Sequence, residues 1–146
     1  MNYTVNVVRF RVVREPGPRR APLSAPLAVA ALAAQLLPDD AREHFGAFLL
    51  DAQNHLVAYH EVSSGTLTAS LVHPREVFGP ALRVLGVASV VLVHNHPSGD
   101  LAPSKEDLRL TRQLVDAGKL LDVVVHNQIA QERDGVVVPV GGPTTR

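Results

Sequence analysis

Two histidines separated by a single residue directly follow an aliphatic run. No other stretch of the sequence points more clearly to a chemical function. In VVLVHNHPSGD, residues 90–100, His94 and His96 follow directly behind Val90 to Val93. Residues two apart in an extended strand project from the same face, roughly 6.5–7 Å from each other. Two imidazoles at that spacing can converge on one metal ion with bonds of about 2.0 Å. The pattern therefore predicts a metal site at the end of a strand.

A carboxylate further along the chain can complete the ligand set. Pro97 and Gly99 end the strand and reverse the chain, and Ser104 is then a candidate N-cap with Asp107 in the first turn of the next helix. Two histidines and one carboxylate leave a fourth tetrahedral position for water, which is typical of catalytic rather than structural zinc sites. Ser-x-x-Asp is also an ordinary helix cap, and the residue types alone leave both interpretations open.

Alternating helices and strands must position these residues. The predicted elements are helices over 27–37, 74–85 and 104–117, strands over 3–13, 87–93, 121–129 and 136–140, and a strand hairpin over 45–62. The continuous aliphatic run before His94 indicates a strand that is covered on both faces. The prediction is an α/β fold, with a mixed sheet flanked by helices in a single domain.

Composition excludes several classes of protein. Lys and Arg together number 14, as do Asp and Glu, so no global field recruits nucleic acid or an anionic membrane. The chain has no cysteine, which leaves nitrogen and oxygen ligands for a metal and rules out a thiolate nucleophile. The apolar run 27–37 is too short to span a bilayer, and the N-terminus has no signal-peptide pattern. We expect a cytoplasmic protein with no membrane partner.

The spacing of the candidate ligands resembles a known signature. His94-Asn95-His96, then Ser104 and Asp107, matches the His-x-His-x7-Ser-x2-Asp pattern of the JAMM (JAB/MPN) metalloprotease domain without a gap. The resemblance implies a zinc ion held by His94, His96 and Asp107, and hydrolysis of a peptide or isopeptide bond in a peptide or protein substrate.

Longer stretches resemble the bacterial RadC family, whose members are often described as DNA-repair proteins. These stretches are HPREVF at 73–78, HNHPSGD at 94–100 and PSKED at 103–107. The resemblance implies a cytidine-deaminase-like JAB/MPN fold over 27–146, behind an N-terminal strand and a Pro/Arg-rich loop over 1–26. A chain of this length is similar to the short, free-standing members.

The resemblance also implies roles for residues outside the ligand set. A glutamate upstream of the histidines activates the water in this family, and its counterpart here is predicted to be Glu61, before the turn SSGTL. The Ser104 hydroxyl would help to stabilise the oxyanion. His60 should face away from Glu61 if the strand is regular. One departure is Asn127-Gln128, where relatives usually carry an Asp-His pair.

Two other functions stay open. A nucleic-acid-binding protein or a metal-dependent nuclease is suggested by the RadC resemblance and by five arginines near the N-terminus, Arg9, Arg11, Arg14, Arg19 and Arg20. A non-catalytic MPN module would bind a partner without cutting it. The oligomeric state is also open, because a Val-rich N-terminal strand could pair with a second copy as a homodimer, while its arginines could equally blunt that edge.

Overall fold

The computed structural model describes residues 2, 4–9, 11, 22–23, 26–37, 42–65, 72–96, 105–132 and 137–140. For residues 26–27, 63–65, 96, 106–107, 127–132 and 137–140, the description covers the backbone only. In chain order the elements are α1 (Pro26–Leu36), β1 (Glu43–Leu50), β2 (Leu56–Gly65), α2 (Pro74–Ala81), β3 (Ser89–His96), α3 (Lys105–Leu121), β4 (Val124–Glu132) and β5 (Val137–Val140).

The strands form one mixed sheet in the order β2-β1-β3-β4-β5. β1 pairs antiparallel with both β2 and β3, and β4 pairs antiparallel with β5. β3 and β4 are parallel, and α3 is the crossover that joins them. The hydrophobic hairpin β1–β2 and the βαβ unit β3–α3–β4 therefore share one sheet, which confirms the predicted α/β class.

The two faces of the sheet bury different helices. On one face, Phe45, Leu49 and Leu92 pack with Val77 of α2 and Leu114 of α3 in one apolar cluster. On the other face, β1 and β3 pack against α1; the apolar residues of this second cluster include Phe48, Leu50, Val91, Val93, Val29, Leu32 and Ala33. Alternate residues of β1 thus belong to opposite clusters, as strand geometry requires. We call these the α2/α3 face and the α1 face.

The ends of α2 and α3 differ from the prediction. α2 ends at Ala81, and the chain continues to Val84 in turns whose amides bond to the carbonyls of Phe78 and Pro80. α3 continues through Gly118, where the sequence suggested a stop, to Leu121. Gly118 is a packing glycine: a Cβ there would collide with the Val123 carbonyl. The helix ends instead in the left-handed conformation of Asp122 (φ 59°), with the Val123 amide bonded to the Gly118 carbonyl.

The N-terminal segment does not form the predicted strand over its described residues 4–9 and 11. Val5, Val7 and Val8 are 75%, 68% and 78% exposed, and none of the strands that the structure describes pairs with them. Pro22 forms an isolated antiparallel bridge with His55, close to the start of β2. Within the described part of the chain, no helix combines the length and the apolar character that crossing a membrane requires.

Candidate metal centre at the carboxyl end of β3

The ring of His94 is buried near the carboxyl end of β3, the central strand of the sheet. β3 carries it on the α2/α3 face, where the residue is 7% exposed. The ring stacks on that of Phe45 in β1, with centroids 6.2 Å apart and an interplanar angle of 10°. Phe45 is also the register partner of His94 in the antiparallel β1–β3 pair. Packing against an aromatic ring restricts the imidazole to one orientation before any ligand binds.

The other two predicted ligands follow His94 along the backbone. His96 is the last residue of β3, two positions after His94. α3, whose first turn contains Asp107, begins at Lys105, joins β3 to the parallel strand β4 and packs on the α2/α3 face through Leu110 and Leu114. The side chains of His96 and Asp107 and all of Ser104 lie outside the described residues.

Glu61 lies on the opposite face of the sheet. Its Oε1 is 2.7 Å from Nδ1 of His44, a residue that is only 4% exposed. It also lies close to Tyr59, which packs on Phe48 in the α1-side cluster. Burial and the negative charge of Glu61 together raise the pKa of Tyr59 to about 12. The carboxylate that was predicted to face the metal is therefore engaged with His44 on the α1 face.

Strand alternation in β2 explains the placement of Glu61. A bulge interrupts the β1–β2 register, so that Phe45 pairs with Ser63 but Gly46 pairs with Glu61. The Tyr59 ring crosses Gly46 on the α1 face, where a Cβ on Gly46 would lie 2.5 Å from its Cε2. His60 points the other way, with Nε2 3.1 Å from the carbonyl oxygen of Glu76 in α2. The expectation that His60 and Glu61 face opposite sides is confirmed, but His60 is the one on the face of His94.

Sequence reasoning missed a second glutamate, Glu43, at the start of β1. The antiparallel register of β1 and β3 ends at the pair Phe45–His94, and Glu43 lies two residues before Phe45 on β1. Glu43 has the same strand parity as Phe45, the register partner of His94, so it belongs to the α2/α3 face with His94. The available signal was an acid at the head of the buried run HFGAFLL, but only the order of the strands connects that run to His94 and His96.

The donor types at this end of β3 suit zinc. Imidazole nitrogen and carboxylate oxygen are both normal zinc ligands, and a chain without cysteine offers no competing thiolate. Among the side chains that the structure describes, no three His, Asp or Glu residues form a metal-binding group. Of the three predicted ligands, His94 alone has a described side chain.

An α/β domain with this mixed sheet, and with His-x-His at the end of a buried central strand, is of the JAB/MPN type. The chain belongs to the family of RadC-like JAB domains, since the family model of that description matches residues 23–138.

Curated relatives support this assignment. The chain is 44% identical over 119 residues to a UPF0758 protein of Desulforamulus reducens (82% of this chain, 52% of the relative). It is 46% identical over 114 residues to a UPF0758 protein of Syntrophotalea carbinolica (78% and 50%). A UPF0758 protein of Symbiobacterium thermophilum is 45% identical over 127 residues (87% and 51%). The chain thus spans about half the length of the curated relatives that it matches.

Two features from the sequence stay predictions. Asn127 and Gln128 lie in β4, and their side chains are outside the described part of the chain. Of the N-terminal arginines, Arg9 and Arg11 are described and exposed, whereas Arg14, Arg19 and Arg20 lie outside the described residues. A contact between these arginines and nucleic acid is therefore neither confirmed nor contradicted.

Proposed function

We propose that this domain is a zinc-dependent hydrolase that cleaves a peptide or isopeptide bond by means of a metal-activated water. The observation that carries the proposal is the buried ring of His94 at the carboxyl end of β3, the strand that ends at His96 and that α3 joins to β4. His94, His96 and Asp107 would hold the ion. Zinc in such a site supplies a water whose pKa is lowered to about 7 and a Lewis acid for the carbonyl oxygen.

Glu43 is the residue that we assign to proton transfer. The register of β1 and β3 supports it, because strand parity gives Glu43 the face of His94, while the Glu61 carboxylate is bound to His44 on the other face. The Glu43 carboxylate would accept a proton from the attacking water as the new C–O bond forms. It would then deliver that proton to the leaving nitrogen as the C–N bond breaks.

The start of α3 would stabilise the negative charge that develops on the carbonyl oxygen. Ser104 directly precedes the helix, and its hydroxyl is a hydrogen-bond donor for such an oxyanion. The unpaired amides and the positive end of the helix dipole add to the same effect. The substrate class that fits this chemistry is a peptide or protein amide, including a lysine ε-amide.

Hydrolysis by metal-free and zinc-restored protein tests the proposal. The substrates are a mixture of fluorescence-quenched peptides and a quenched substrate joined through a lysine ε-isopeptide bond. We expect chelation to abolish turnover and zinc to restore it. Glu43→Gln should retain zinc but lower kcat by about 10²–10⁴-fold. Full activity in Glu43→Gln, or no hydrolysis of either substrate by the zinc-restored wild type, would contradict the proposal; binding without cleavage would favour the non-catalytic module.

A further inference from the structure

We propose that Asn95, the residue between the two histidines, is a positioning residue that fixes Glu43 opposite the metal site. This inference rests on the proposed function, because it concerns the residue assigned there to proton transfer. Asn95 acts by binding the backbone on both sides of Glu43.

The contacts of the Asn95 amide are specific. Its Oδ1 accepts a hydrogen bond from the backbone N–H of His44, and its Nδ2 donates to the carbonyl oxygen of Arg42 at 3.0 Å. A backbone N–H can only donate and a carbonyl can only accept, so the two partners together determine the orientation of the amide. One side chain thus joins the residue before Glu43 to the residue after it.

Asn95 links β1 to β3 beyond the last residue pair of their backbone register. The register between β1 and β3 ends at the pair Phe45–His94, one residue short of His44 and Asn95. Beyond that point, the side-chain amide supplies the link between the two strands. Terminal residues of a strand open most easily when their inter-strand bonds are missing. Glu43 and His44 remain paired with Gly65 and Ser64 of β2, so the Asn95 amide restrains the side of this segment that faces β3.

The side chain of Asn95 and the carboxylate of Glu43 lie on opposite faces of the sheet. Asn95 has the parity of Val91 and Val93, which pack on the α1 face, whereas Glu43 has the parity of Phe45 on the α2/α3 face. Replacement of Asn95 consequently removes no group from the face that would hold the metal. The His44–Glu61 pair, also on the α1 face, is a second anchor for the same end of β1.

The expected consequence is a loss of turnover without a loss of metal. A displacement of a catalytic group by about 1 Å can reduce the rate of reaction by about 10²-fold. We expect Asn95→Ala to lower kcat by about 10–100-fold, with little change in KM. The affinity for Zn²⁺, measured by calorimetry with the metal alone, should stay close to that of the wild type. In Glu43→Gln, where the positioned carboxylate is absent, Asn95→Ala should have no further effect on kcat.

Hydrogen exchange tests the contact without metal or substrate. In Asn95→Ala the His44 amide should lose at least about tenfold of its protection, because its acceptor is gone. Asn95→Asp keeps an acceptor for that amide but cannot donate to Arg42, so it should retain the protection while kcat falls. Val93→Ala is the matched control: this fully buried residue lies on the same strand and face, and its truncation lowers stability without removing the bonds to 42 and 44.

The results separate the two proposals. Unchanged protection of the His44 amide in Asn95→Ala would overturn the positioning role, whatever the activity of the protein. The role would also be overturned if Asn95→Ala reduced kcat as much in Glu43→Gln as in the wild type, or if Val93→Ala reproduced all of its effects. Full activity in Glu43→Gln would instead refute the proposed function, and it would leave the exchange result as a separate test of the Asn95 contacts.

Discussion

Nδ1 of His44 lies 2.7 Å from Oε1 of Glu61, and this pair occupies the sheet face opposite to the ring of His94. The Nδ1–H of a neutral His44 can donate to the carboxylate, and so can a protonated ring. In either state Glu61 satisfies a buried polar group, which would otherwise cost free energy. Glu61 therefore has a structural task that is independent of the metal.

Glu61→Gln separates this structural role from a catalytic one. The glutamine keeps an oxygen for His44 and nearly the same shape, so we expect hydrolysis to stay within a few-fold of the wild type. Glu43→Gln should be far more damaging, by about 10²–10⁴-fold in kcat. Steady-state kinetics of the two variants, with zinc content measured on the same samples, checks the prediction. A large loss in Glu61→Gln with an active Glu43→Gln would return the proton-transfer role to Glu61.

Zinc binding should depend on the three predicted ligands. We expect His94→Ala, His96→Ala and Asp107→Ala each to lose zinc after dialysis, because removal of one of three protein ligands leaves the ion mainly to solvent. His55→Ala is the control, since His55 lies beside Asp51 at the β1–β2 turn, at the other end of the strands. Metal analysis of freshly purified proteins is the measurement. Retention of zinc in His94→Ala would refute the proposed metal site.

Gly118→Ala should destabilise the fold. A Cβ at this position would collide with the Val123 carbonyl and lie 2.8 Å from Cγ2 of Val125. Overpacking of this kind costs about 1–3 kcal/mol of unfolding free energy. Gly79→Ala in α2 is the matched control, because its Cβ would meet nothing within 4 Å outside its chain neighbours; we expect it to change the unfolding free energy less than Gly118→Ala does. Chemical denaturation of both variants tests the prediction, which fails if Gly118→Ala is as stable as the wild type.

His126 should make the fold less stable in mild acid. Burial lowers the pKa of His126 in the folded state below the ordinary value of 6.5. The unfolded chain then binds the proton more readily, so stability is complete above about pH 6.5 and is lost as the pH falls through the folded-state pKa. Urea unfolding of the wild type and His126→Gln at pH 7.5 and 5.5 measures this. The wild type should lose more stability than the variant, and equal losses would contradict the assignment.

Nucleic-acid binding through the N-terminal arginines is expected to be weak. The balanced charge and the 4% content of aromatic residues provide little for phosphate tracking or base stacking. We expect oligonucleotide affinity at physiological salt to be no tighter than the non-specific range of about 10⁻⁴–10⁻⁶ M. A salt titration with the wild type and with the Arg9→Ala, Arg11→Ala double variant measures it. Tighter binding that is lost in the double variant would favour the nucleic-acid function.

Much of the fold could be predicted because its signals are local. The predicted helix over 27–37 corresponds to α1, the predicted hairpin over 45–62 to β1 and β2, and the aliphatic run before His94 to β3. The exceptions arise from contacts distant in sequence. α3 continues through Gly118 because this glycine lies close against Val123 and Val125. The Val-rich segment over 4–9 has no strand to pair with in the described part of the chain, and propensity alone does not make a strand.

The sequence by itself determined the family and the candidate ligands, because His94, His96 and Asp107 form a contiguous motif whose spacing is read without knowledge of the sheet. Only the tertiary structure decided which glutamate shares the sheet face of His94. That choice depends on the insertion of β1 between β2 and β3, and on a bulge that sets Glu61 opposite Gly46. Strand order and register result from packing across the whole sheet, and a shift of one residue would exchange the faces.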